Sequence, residues 1–492
     1  MARTDKERTT HDRGTMDVIV IGGGPASVTA ALRARELGAT VALVERERMG
    51  GTCTNDGCVP TRVLAKAARL LREAEQFEEY GLMGQRPMPD FARLLSRTQH
   101  TVYTLHEKKQ LIGHLEQSGV TVYANAGEAR FVDEYTLSLN NGRRLEASKF
   151  IVCAGGHARR LPFPGAEHAL THSDVWSLKT LPKSIAIVGG AATGSQLTSI
   201  FAAFGSQVTL LDLAPRLMPM EDERVSLTVR AAFEQRGVQV ITGIGGIDRI
   251  ERSDQALELH YKHHDQVEML EAEAIVLAVG WPSNGEALNL AAVNVKTERG
   301  YIVVDDYLRT TTPHIFAAGD VTGRMMLVQS ASYDARIAAE NAVLGAGQPY
   351  KRKIVPHGGF TDPEYGSVGL TETQARAQED CVVAVVPYAD LDRAVIDDRT
   401  QGFGKLIVAQ ETHRILGAHV VGEQALEIVH LVAAAMSADM WVEQLAELEI
   451  AYPTYTAVVG LAARQIVREL GAMPLAAQWR AWQTPHCRMG KK

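Results

Sequence analysis

The sequence has few cysteines, no long apolar run and no excess of basic residues. Five cysteines in 492 residues are too few for the disulfide-stapled scaffold of a small secreted domain. A net charge of −7 without a basic stripe gives no electrostatic basis for binding nucleic acid. The longest apolar runs, such as Met16–Ile21 and Ile275–Val279, have strand length and are too short to span a membrane. We therefore expect neither a nucleic-acid nor a membrane partner.

Residues 1–15 are charged and lack the apolar core of a secretory signal peptide. We expect them to form a flexible leader and the protein to be soluble and cytoplasmic. In that compartment a close cysteine pair indicates redox or metal chemistry more often than a structural bridge. Cys53 and Cys58 form such a pair, whereas Cys153 and Cys381 lie in ordinary strand contexts.

A dinucleotide-binding βαβ unit is predicted near the start of the chain. A short apolar strand runs into the loop GGGPAS at 22–27, a helix is expected over Val28–Leu37, and a second strand ends at Glu45. Glycines in such a loop let a pyrophosphate reach free N–H groups at the helix N-terminus. Ser27 takes the third glycine position, and Glu45 is placed to accept hydrogen bonds from a ribose diol.

A second unit of the same kind begins at Ser184–Val188. Its loop, GGAATG at 189–194, has Ala191 in place of the middle glycine, and its second strand ends at Asp212. An acid at this position repels a 2′-phosphate, so we expect NADH to be preferred over NADPH. Arg216 is close enough in sequence to leave NADPH possible. Two such units predict two bound nucleotides.

The two close cysteines lie in GGTCTNDGCVPTR at 50–62, before a helix expected over Thr61–Glu78. Pro60 suits a first helical turn, because its missing N–H is not needed there. A cysteine at a helix N-terminus has a pKa below its usual value of about 8.5. A distorted first turn would bring the two sulfurs together. A plain bridge or half of a zinc site is the alternative, but no second cysteine or histidine pair is spaced for zinc.

The predicted fold class is α/β, with two Rossmann-like nucleotide-binding domains followed by an α+β domain. Alternating segments such as Gly404–Val408 and Ile415–Val421 predict antiparallel strands after residue 351, and helices are expected at Ala425–Ala438 and Val442–Leu448. The end of the chain, with Trp479, Trp482 and Cys487, is expected to be a tail that packs on a neighbour. The predicted segments are 1–15 (leader), 16–175 (first nucleotide domain), 176–295 (second nucleotide domain), 296–350 (return to the first), 351–470 (α+β domain) and 471–492 (tail).

Five motifs together resemble the flavin-dependent pyridine nucleotide–disulfide oxidoreductases, the family of dihydrolipoamide dehydrogenase, glutathione reductase and mercuric reductase. They are GGTCTNDGCVP at 50–60, AGG at 154–156, AVGWPSN at 278–284, AAGDV at 317–321 and FTDPEYGSVGLTE at 360–372. The resemblance extends from Met16 to about Ile466. It implies FAD and a nicotinamide nucleotide as cofactors, and a homodimer in which the α+β domain completes the partner's active site.

The resemblance also implies individual roles. Cys58 would face the flavin as the charge-transfer thiol, Cys53 would be the interchange thiol that meets the substrate, and Asp320 would bind the ribityl chain of FAD. We predict a catalytic position for Tyr452 as well, and no metal ligand. The predicted cofactor-binding residues are Gly22, Gly24, Pro25, Ala26, Glu45, Gly51, Thr52, Arg62, Ala154, Gly155, Gly189, Gly194, Gln196, Asp212, Gly280, Gly319 and Asp320.

Two pairs of residues depart from the family pattern. The family's His-Pro-Thr-x-x-Glu reads here with Tyr452 for the histidine base and Ala457 for the glutamate that orients it. A phenol with a pKa near 10 does not exchange protons at neutral pH as an imidazole with a pKa of about 6.5 does. The family's lysine–glutamate pair at the flavin is replaced by Arg62 and Gln196. We expect these two to form a hydrogen bond and to leave a positive charge near the flavin, unless the change is neutral drift.

These departures shape the predicted function. We expect NAD(P)H to reduce the flavin, the flavin to open the Cys53–Cys58 disulfide, and Cys53 to reduce a small-molecule or protein disulfide, or a soft-metal thiolate. Such acceptors have good leaving groups and need less help from a general acid. A dihydrolipoamide dehydrogenase and a redox-sensing flavoprotein that binds a partner are the alternatives. Mercuric reductase also lacks the histidine base, but its paired C-terminal cysteines are missing here, where only His486 and Cys487 stand.

Overall fold

The computed structural model describes residues 15–254, 256–345, 347–351 and 354–472. The predicted leader, apart from its last residue, lies outside the described residues. The predicted tail does so from residue 473 onward, together with Trp479, Trp482, His486 and Cys487.

The strands are numbered in chain order. The first six are β1 (Met16–Ile21), β2 (Val41–Val44), β3 (Val120–Tyr123), β4 (Ala129–Asp133), β5 (Thr136–Leu139) and β6 (Arg144–Val152). The next eight are β7 (Leu170–Thr171), β8 (Ser184–Val188), β9 (Gln207–Asp212), β10 (Gln239–Thr242), β11 (Gly246–Arg252), β12 (Leu257–His263), β13 (Gln266–Ala272) and β14 (Ala274–Leu277). The last are β15 (Thr297–Glu298), β16 (Tyr301–Ile302), β17 (Ile315–Ala317), β18 (His357–Gly359), β19 (Tyr365–Gly369), β20 (Cys381–Pro387), β21 (Phe403–Ala409) and β22 (Ile415–Val421).

The α-helices are numbered in the same way. They are α1 (Pro25–Glu36), α2 (Gly51–Asn55), α3 (Cys58–Ala74), α4 (Phe91–Lys109), α5 (Leu111–Gln117), α6 (Ala192–Phe204) and α7 (Glu223–Gln235). They continue with α8 (Val328–Leu344), α9 (Glu372–Arg376), α10 (Asp392–Ile396), α11 (Ala425–Ser437), α12 (Val442–Glu447) and α13 (Ala457–Glu469). None of the described helices combines the length and the apolar character that a membrane span requires.

The first sheet has the strand order β3-β2-β1-β6-β5-β4, with β17 also paired to β6. Strands β1, β2, β3, β6 and β17 run parallel, whereas β4 and β5 form an antiparallel extension. Strands β2 and β17 and the second part of β1 are apolar and buried, as their continuous apolar runs predicted, whereas β3 and the first part of β6 are partly exposed. Strand β17 returns to this sheet after the second nucleotide unit, so the first unit is built from two separate segments of chain.

The second parallel sheet has the order β10-β9-β8-β14-β7, and the antiparallel sheet β11-β12-β13 accompanies it. In each parallel sheet the first strand of the βαβ unit lies between its own second strand and a strand from later in the chain. Ligands of open α/β sheets bind at such a switch point, outside the carboxyl ends of the strands. Both predicted glycine loops therefore lie where a nucleotide is expected.

The C-terminal unit is an antiparallel sheet of order β18-β19-β22-β21-β20 with helices packed on it. Strands β21 and β22 and helix α11 agree with the predicted segments to within one residue at each end. Val429, Val459 and Ile466 of the helices are buried against Ala418 and Val420 of the sheet. This is the predicted α+β domain, so the predicted fold class is confirmed.

Candidate active site

The first glycine loop and the segment that holds the cysteines lie against each other. Gly22 has φ +122°, and a side chain there would meet the carbonyl oxygen of Cys153 at 2.4 Å. Gly51 has φ +60°, and a Cβ on it would lie 2.8 Å from Cα of Gly24. Both positions therefore require glycine. The close approach of Gly51 to Gly24 brings the start of α2 onto the loop that precedes α1.

Helix α1 begins at Pro25, three residues earlier than predicted, because proline supplies the φ of a first helical residue. No side chain caps its N-terminus, and its first turn contains no acidic residue. The N–H groups of that turn are thus available to an anion. Glu45 lies at the end of β2 and accepts a hydrogen bond from the backbone N–H of Glu47 at 2.9 Å. Burial raises the pKa of Glu45, partly offset by that bond.

The two cysteines are held together by a break between two helices. Cys53 lies in the short helix α2, and Cys58 is the first residue of α3, with Gly57 in a non-helical conformation between them. Both are free thiols, and a side-chain hydrogen bond between them shifts the pKa of each. The break at Gly57 agrees with the distorted first turn that was expected, and the role of the two sulfurs as a redox pair stays a prediction. Helix α3 starts three residues before the predicted Thr61.

The electrostatics of the pair give the two sulfurs different roles. The hydrogen bond from Cys53 lowers the pKa of Cys58 to about 7, against the opposing effects of burial and Asp320. The same bond raises the pKa of Cys53, and burial and the charges of Cys58 and Asp320 act in the same direction. Cys58 is therefore the sulfur that holds negative charge, and Cys53 holds the proton.

Asp320 follows β17, and its carboxylate acts electrostatically on both cysteines. Gly319 before it has φ +78°, and a Cβ there would lie 3.2 Å from Cβ of Ala331 and 3.4 Å from Cβ of Ala26. The carboxylate of Asp320 accepts a hydrogen bond from the indole N–H of Trp281 at 3.0 Å. Burial raises the pKa of Asp320, and the bond from Trp281 opposes this.

The ends of β6 and β14 complete this region. The side-chain amide of Asn284 donates to the carbonyl oxygen of Ala154 at 2.8 Å. The backbone N–H of Asn284 donates to the carbonyl oxygen of Gly155 at 3.0 Å. Gly280 has φ +131° and directly precedes Trp281. Most of the predicted residues of the first nucleotide site thus follow β1, β2, β6 and β17, whose carboxyl ends meet at one edge of the first sheet, while Gly280 follows β14 of the second sheet. With an uncapped α1 N-terminus and a carboxylate at the end of β2, they fit a flavin dinucleotide.

The second glycine loop has the same construction. Gly194 permits no side chain, because a Cβ there would lie 1.8 Å from the carbonyl oxygen of Gly189. Helix α6 then begins at Ala192 without a capping side chain. Asp212 at the end of β9 accepts hydrogen bonds from the backbone N–H groups of Gly190 and Ala214, the latter at 2.6 Å. These residues fit a second nucleotide.

Potential metal-ligating side chains cluster at one place among the described residues. Within the described ranges, a single group of three potential ligand side chains lies within 4.8 Å, and it consists of Glu251, Glu258 and His260. It contains neither Cys53 nor Cys58.

Comparison with known proteins decides the family. Residues 16–335 match the family model of the pyridine nucleotide-disulphide oxidoreductases, and residues 355–463 match that family's dimerisation domain. The chain belongs to this family. It is accordingly a flavin-dependent pyridine nucleotide–disulfide oxidoreductase with a dimerisation domain, and the resemblance seen in the motifs is confirmed.

Relatives of this oxidoreductase include mercuric reductases and dihydrolipoyl dehydrogenases. It is 31% identical to a mercuric reductase from Bacillus cereus over 96% of this chain and 75% of the relative. It is also 31% identical to a dihydrolipoyl dehydrogenase from Zymomonas mobilis, over 89% of this chain and 95% of the relative.

Among solved structures it is similar to the HOCl-induced flavoprotein disulfide reductase RclA from Escherichia coli. The TM-score is 0.82 at 28% identity, over 92% of this chain and 100% of the other. A Cu(II) complex of RclA gives the same score, identity and coverage.

In this oxidoreductase the hydrogen bond expected between Arg62 and Gln196 is absent from the described residues. Arg62 donates instead to Glu364 at 3.1 Å and lies 4.4 Å over the ring of Phe360. Gln196 accepts from the backbone N–H of Phe360 at 3.1 Å and donates to Ala192. A carboxylate that is only 2% exposed draws the arginine toward the C-terminal domain. Glu364 therefore pairs with Arg62, and it shares its single negative charge with Arg69 at 3.7 Å.

Tyr452 contacts an acid of its own chain. Its hydroxyl donates to a carboxylate oxygen of Asp392 at 2.6 Å, and the side chain is 78% exposed. That hydrogen bond raises the pKa of Tyr452. Ala457 is the first residue of α13 and offers no orienting carboxylate. Within one chain, Tyr452 and Ala457 therefore do not form the acid–base pair that the family has at these positions.

Of three further residues in this region, Trp281 lies in the motif AVGWPSN at 278–284 but was given no role, whereas His106 and Lys109 carried no recognisable sequence signal. Trp281 contacts Asp320, while His106 and Lys109 contact the residues between the two cysteines. Each contact joins elements that are distant along the chain, so no local pattern marks it.

Proposed function

We propose that this oxidoreductase passes an electron pair from NADH, through FAD, to the Cys53–Cys58 pair and on to a disulfide or a soft-metal acceptor. The observation that carries the proposal is the hydrogen-bonded pair of thiols beside the first nucleotide site. Gly51, two residues before Cys53, packs on the glycine loop, and Asp320 acts electrostatically on both sulfurs. Gly51 and Asp320 are among the residues that would hold FAD here, so the thiol pair adjoins the proposed cofactor site.

The different pKa values of the two sulfurs support separate roles. Bound FAD supplies the ring chemistry that exchanges a nicotinamide hydride for an electron pair on sulfur. Cys58, with a pKa lowered to about 7, is suited to hold the thiolate beside the ring. Cys53 keeps the proton until it attacks the acceptor, because its pKa is raised. Cys58 is then the charge-transfer thiol and Cys53 the interchange thiol.

The second nucleotide site favours NADH. The carboxylate of Asp212 lies at the strand end where a ribose binds, and its negative charge would repel a 2′-phosphate. Arg216 does not offset that charge, because its guanidinium donates to the carbonyl oxygens of Met218, Pro219 and Glu221 at 3.2, 2.7 and 3.0 Å. An arginine committed to three carbonyls is not free to bind a phosphate.

The acceptor is inferred from the missing base. Tyr452 is engaged with Asp392, so a reaction that needs a base to oxidise a thiol is disfavoured. Acceptors that release a stable thiolate, or metal ions that take electrons directly, do not need that base. The mercuric reductase relatives and the Cu(II) complex of RclA support metal ions among the acceptors. We further propose that the working unit is a homodimer in the cytoplasm.

An acceptor screen with the flavin-loaded enzyme tests the proposal. NADH and NADPH oxidation would be followed without oxygen in the presence of glutathione disulfide, an aromatic disulfide, lipoamide, dihydrolipoamide with NAD, a thioredoxin-type protein, Hg²⁺ or Cu²⁺. We expect NADH to be the better donor and the aromatic disulfide or a metal ion to be reduced fastest. Dihydrolipoamide turnover near ten per second would instead favour the dehydrogenase alternative.

Cysteine variants supply the matched controls. We expect Cys53→Ser to abolish turnover with the preferred acceptor, while Cys381→Ala, at a strand cysteine away from the site, keeps wild-type turnover. Equal turnover by wild type and Cys53→Ser with every acceptor would contradict the proposal, because electrons would then bypass the thiols.

A further inference from the structure

The last turn of α4 contacts the residues between the two cysteines. His106 and Lys109 are three residues apart and so share one face of the helix. A ring nitrogen of His106 lies 2.7 Å from the side-chain oxygen of Asn55, and the ammonium of Lys109 donates to the hydroxyl of Thr54 at 3.3 Å. A helix C-terminus favours basic residues in general. That preference does not explain why the ammonium is directed to the residue adjacent to Cys53.

The main influences on the pKa of Cys53 include more negative than positive groups. Cys58 on α3 and Asp320 after β17 are the negative groups that act on it, and both disfavour a second thiolate at this place. Lys109 is a positive group that acts on Cys53 in the opposite direction, lowering the pKa that these groups raise. Thr54 is only 1% exposed, so its hydroxyl is a fixed point for the ammonium.

We propose that Lys109 supplies, from the same chain, the positive charge that stabilises the Cys53 thiolate as it attacks the acceptor. Thr54 holds the ammonium in position, and His106 holds the neighbouring Asn55. This inference rests on the proposed function, because it concerns the interchange role of Cys53. Lys109 is a positioning and electrostatic residue in this scheme, and it exchanges no proton.

The chemical step balances as follows for a disulfide acceptor. The sulfur of Cys53 forms a bond to one acceptor sulfur, the acceptor S–S bond breaks, and the proton of Cys53 passes to the departing thiolate. The Cys58 thiolate then attacks the sulfur of Cys53, which forms the Cys53–Cys58 disulfide and releases the second acceptor thiolate. Two electrons leave the cysteine pair. Lys109 acts in the first of these steps, when negative charge develops on Cys53 beside Cys58 and Asp320.

The pH dependence of Cys53 alkylation tests the proposal without any acceptor. The flavin-loaded enzyme would be reduced anaerobically, by NADH in one arm and by a phosphine in the other. Iodoacetamide reactivity of Cys53 would then be measured by peptide mass spectrometry from pH 5 to pH 10. In Lys109→Gln, which can still bond Thr54 but has no charge, we expect the rate at pH 7 to fall roughly three- to tenfold. Lys109→Arg should keep most of the wild-type rate.

Lys108 provides the matched control. Both lysines are exposed on the same turn, so Lys108→Gln removes the same charge from the chain without touching the contact between Lys109 and Thr54. Lys108→Gln should stay within about twofold of wild type. A Lys109→Gln profile that coincides with wild type, or an equal effect of Lys108→Gln, would overturn the inference. If Cys53 is alkylated after reduction by phosphine but never after reduction by NADH, the proposed electron path is refuted. The phosphine arm would then still test the role of Lys109. The absorbance of the bound flavin verifies that each variant is folded.

Discussion

The hydroxyl of Tyr452 lies 2.6 Å from a carboxylate oxygen of Asp392 and donates a hydrogen bond to it. The residue that stands where the resembled family has its base is therefore held by an acid of its own chain. Its raised pKa keeps the phenol protonated at neutral pH. Another group must then exchange protons with the acceptor, or the reaction must not require proton transfer.

Replacing Tyr452 should accordingly have little effect. We expect Tyr452→Phe to lower kcat with a disulfide acceptor by less than about threefold and to leave the pH–rate profile unchanged. General acid–base residues contribute about a hundredfold or more. A loss of that size, seen in steady-state kinetics against an Asp392→Asn control, would show that Tyr452 takes part in the chemistry.

Acid should remove the thiolate of the reduced enzyme. The pKa of Cys58 is lowered to about 7, so its thiolate is fully present above that pH and is lost as the pH falls through it. We expect the long-wavelength thiolate–flavin absorbance of the reduced enzyme to be halved near pH 7 and to vanish toward pH 5. An anaerobic pH titration measures this. A band that persists unchanged at pH 5 would mean that stronger interactions hold the charge.

Features set by residues close together in the sequence were largely predicted, whereas contacts between distant segments of the chain were not. The glycine loops, the strand-end acids Glu45 and Asp212 and the paired thiols follow from short-range spacing, and all lie at the carboxyl ends of strands or at a helix start. The partner of Arg62 did not follow, because Glu364 is 302 residues away along the chain. Lys109 was missed for a similar reason, since only tertiary packing brings α4 to Thr54.

Removing the carboxylate of Glu364 should destabilise the fold. Glu364 is 2% exposed and accepts from Arg62 at 3.1 Å, with Arg69 at 3.7 Å. Glu364→Gln would leave two arginines without their buried partner, and Arg62 is half exposed, so we expect a loss of about 1–3 kcal/mol in the free energy of unfolding. Urea denaturation measures it, with Glu73→Gln on the exposed side of α3 as the control. Equal stability of the two variants would show that the buried ion pair adds nothing.

Asp334 should make stability depend on pH. It is 2% exposed, one of its oxygens has no hydrogen-bond partner among the described residues, and burial raises its pKa to about 6. An acid with a raised pKa costs stability once it ionises, so the cost is absent below about pH 4 and complete above pH 6. Asp334→Asn should therefore be more stable than wild type at pH 8, by about 2 kcal/mol. The difference should shrink as the pH falls to 4. A constant difference in thermal unfolding at both pH values would contradict this.

Anaerobic titration of the flavin-loaded enzyme with NADH tests most directly whether the two thiols exchange electrons with the flavin. One equivalent should produce a long-wavelength band in wild type and no such band in Cys58→Ala. In Cys53→Ser, which has no disulfide to open, the band should be present before NADH is added and should be lost as NADH reduces the flavin. A band that survives in Cys58→Ala, or its absence from wild type at pH 8, would contradict the assignment of Cys58 beside the flavin.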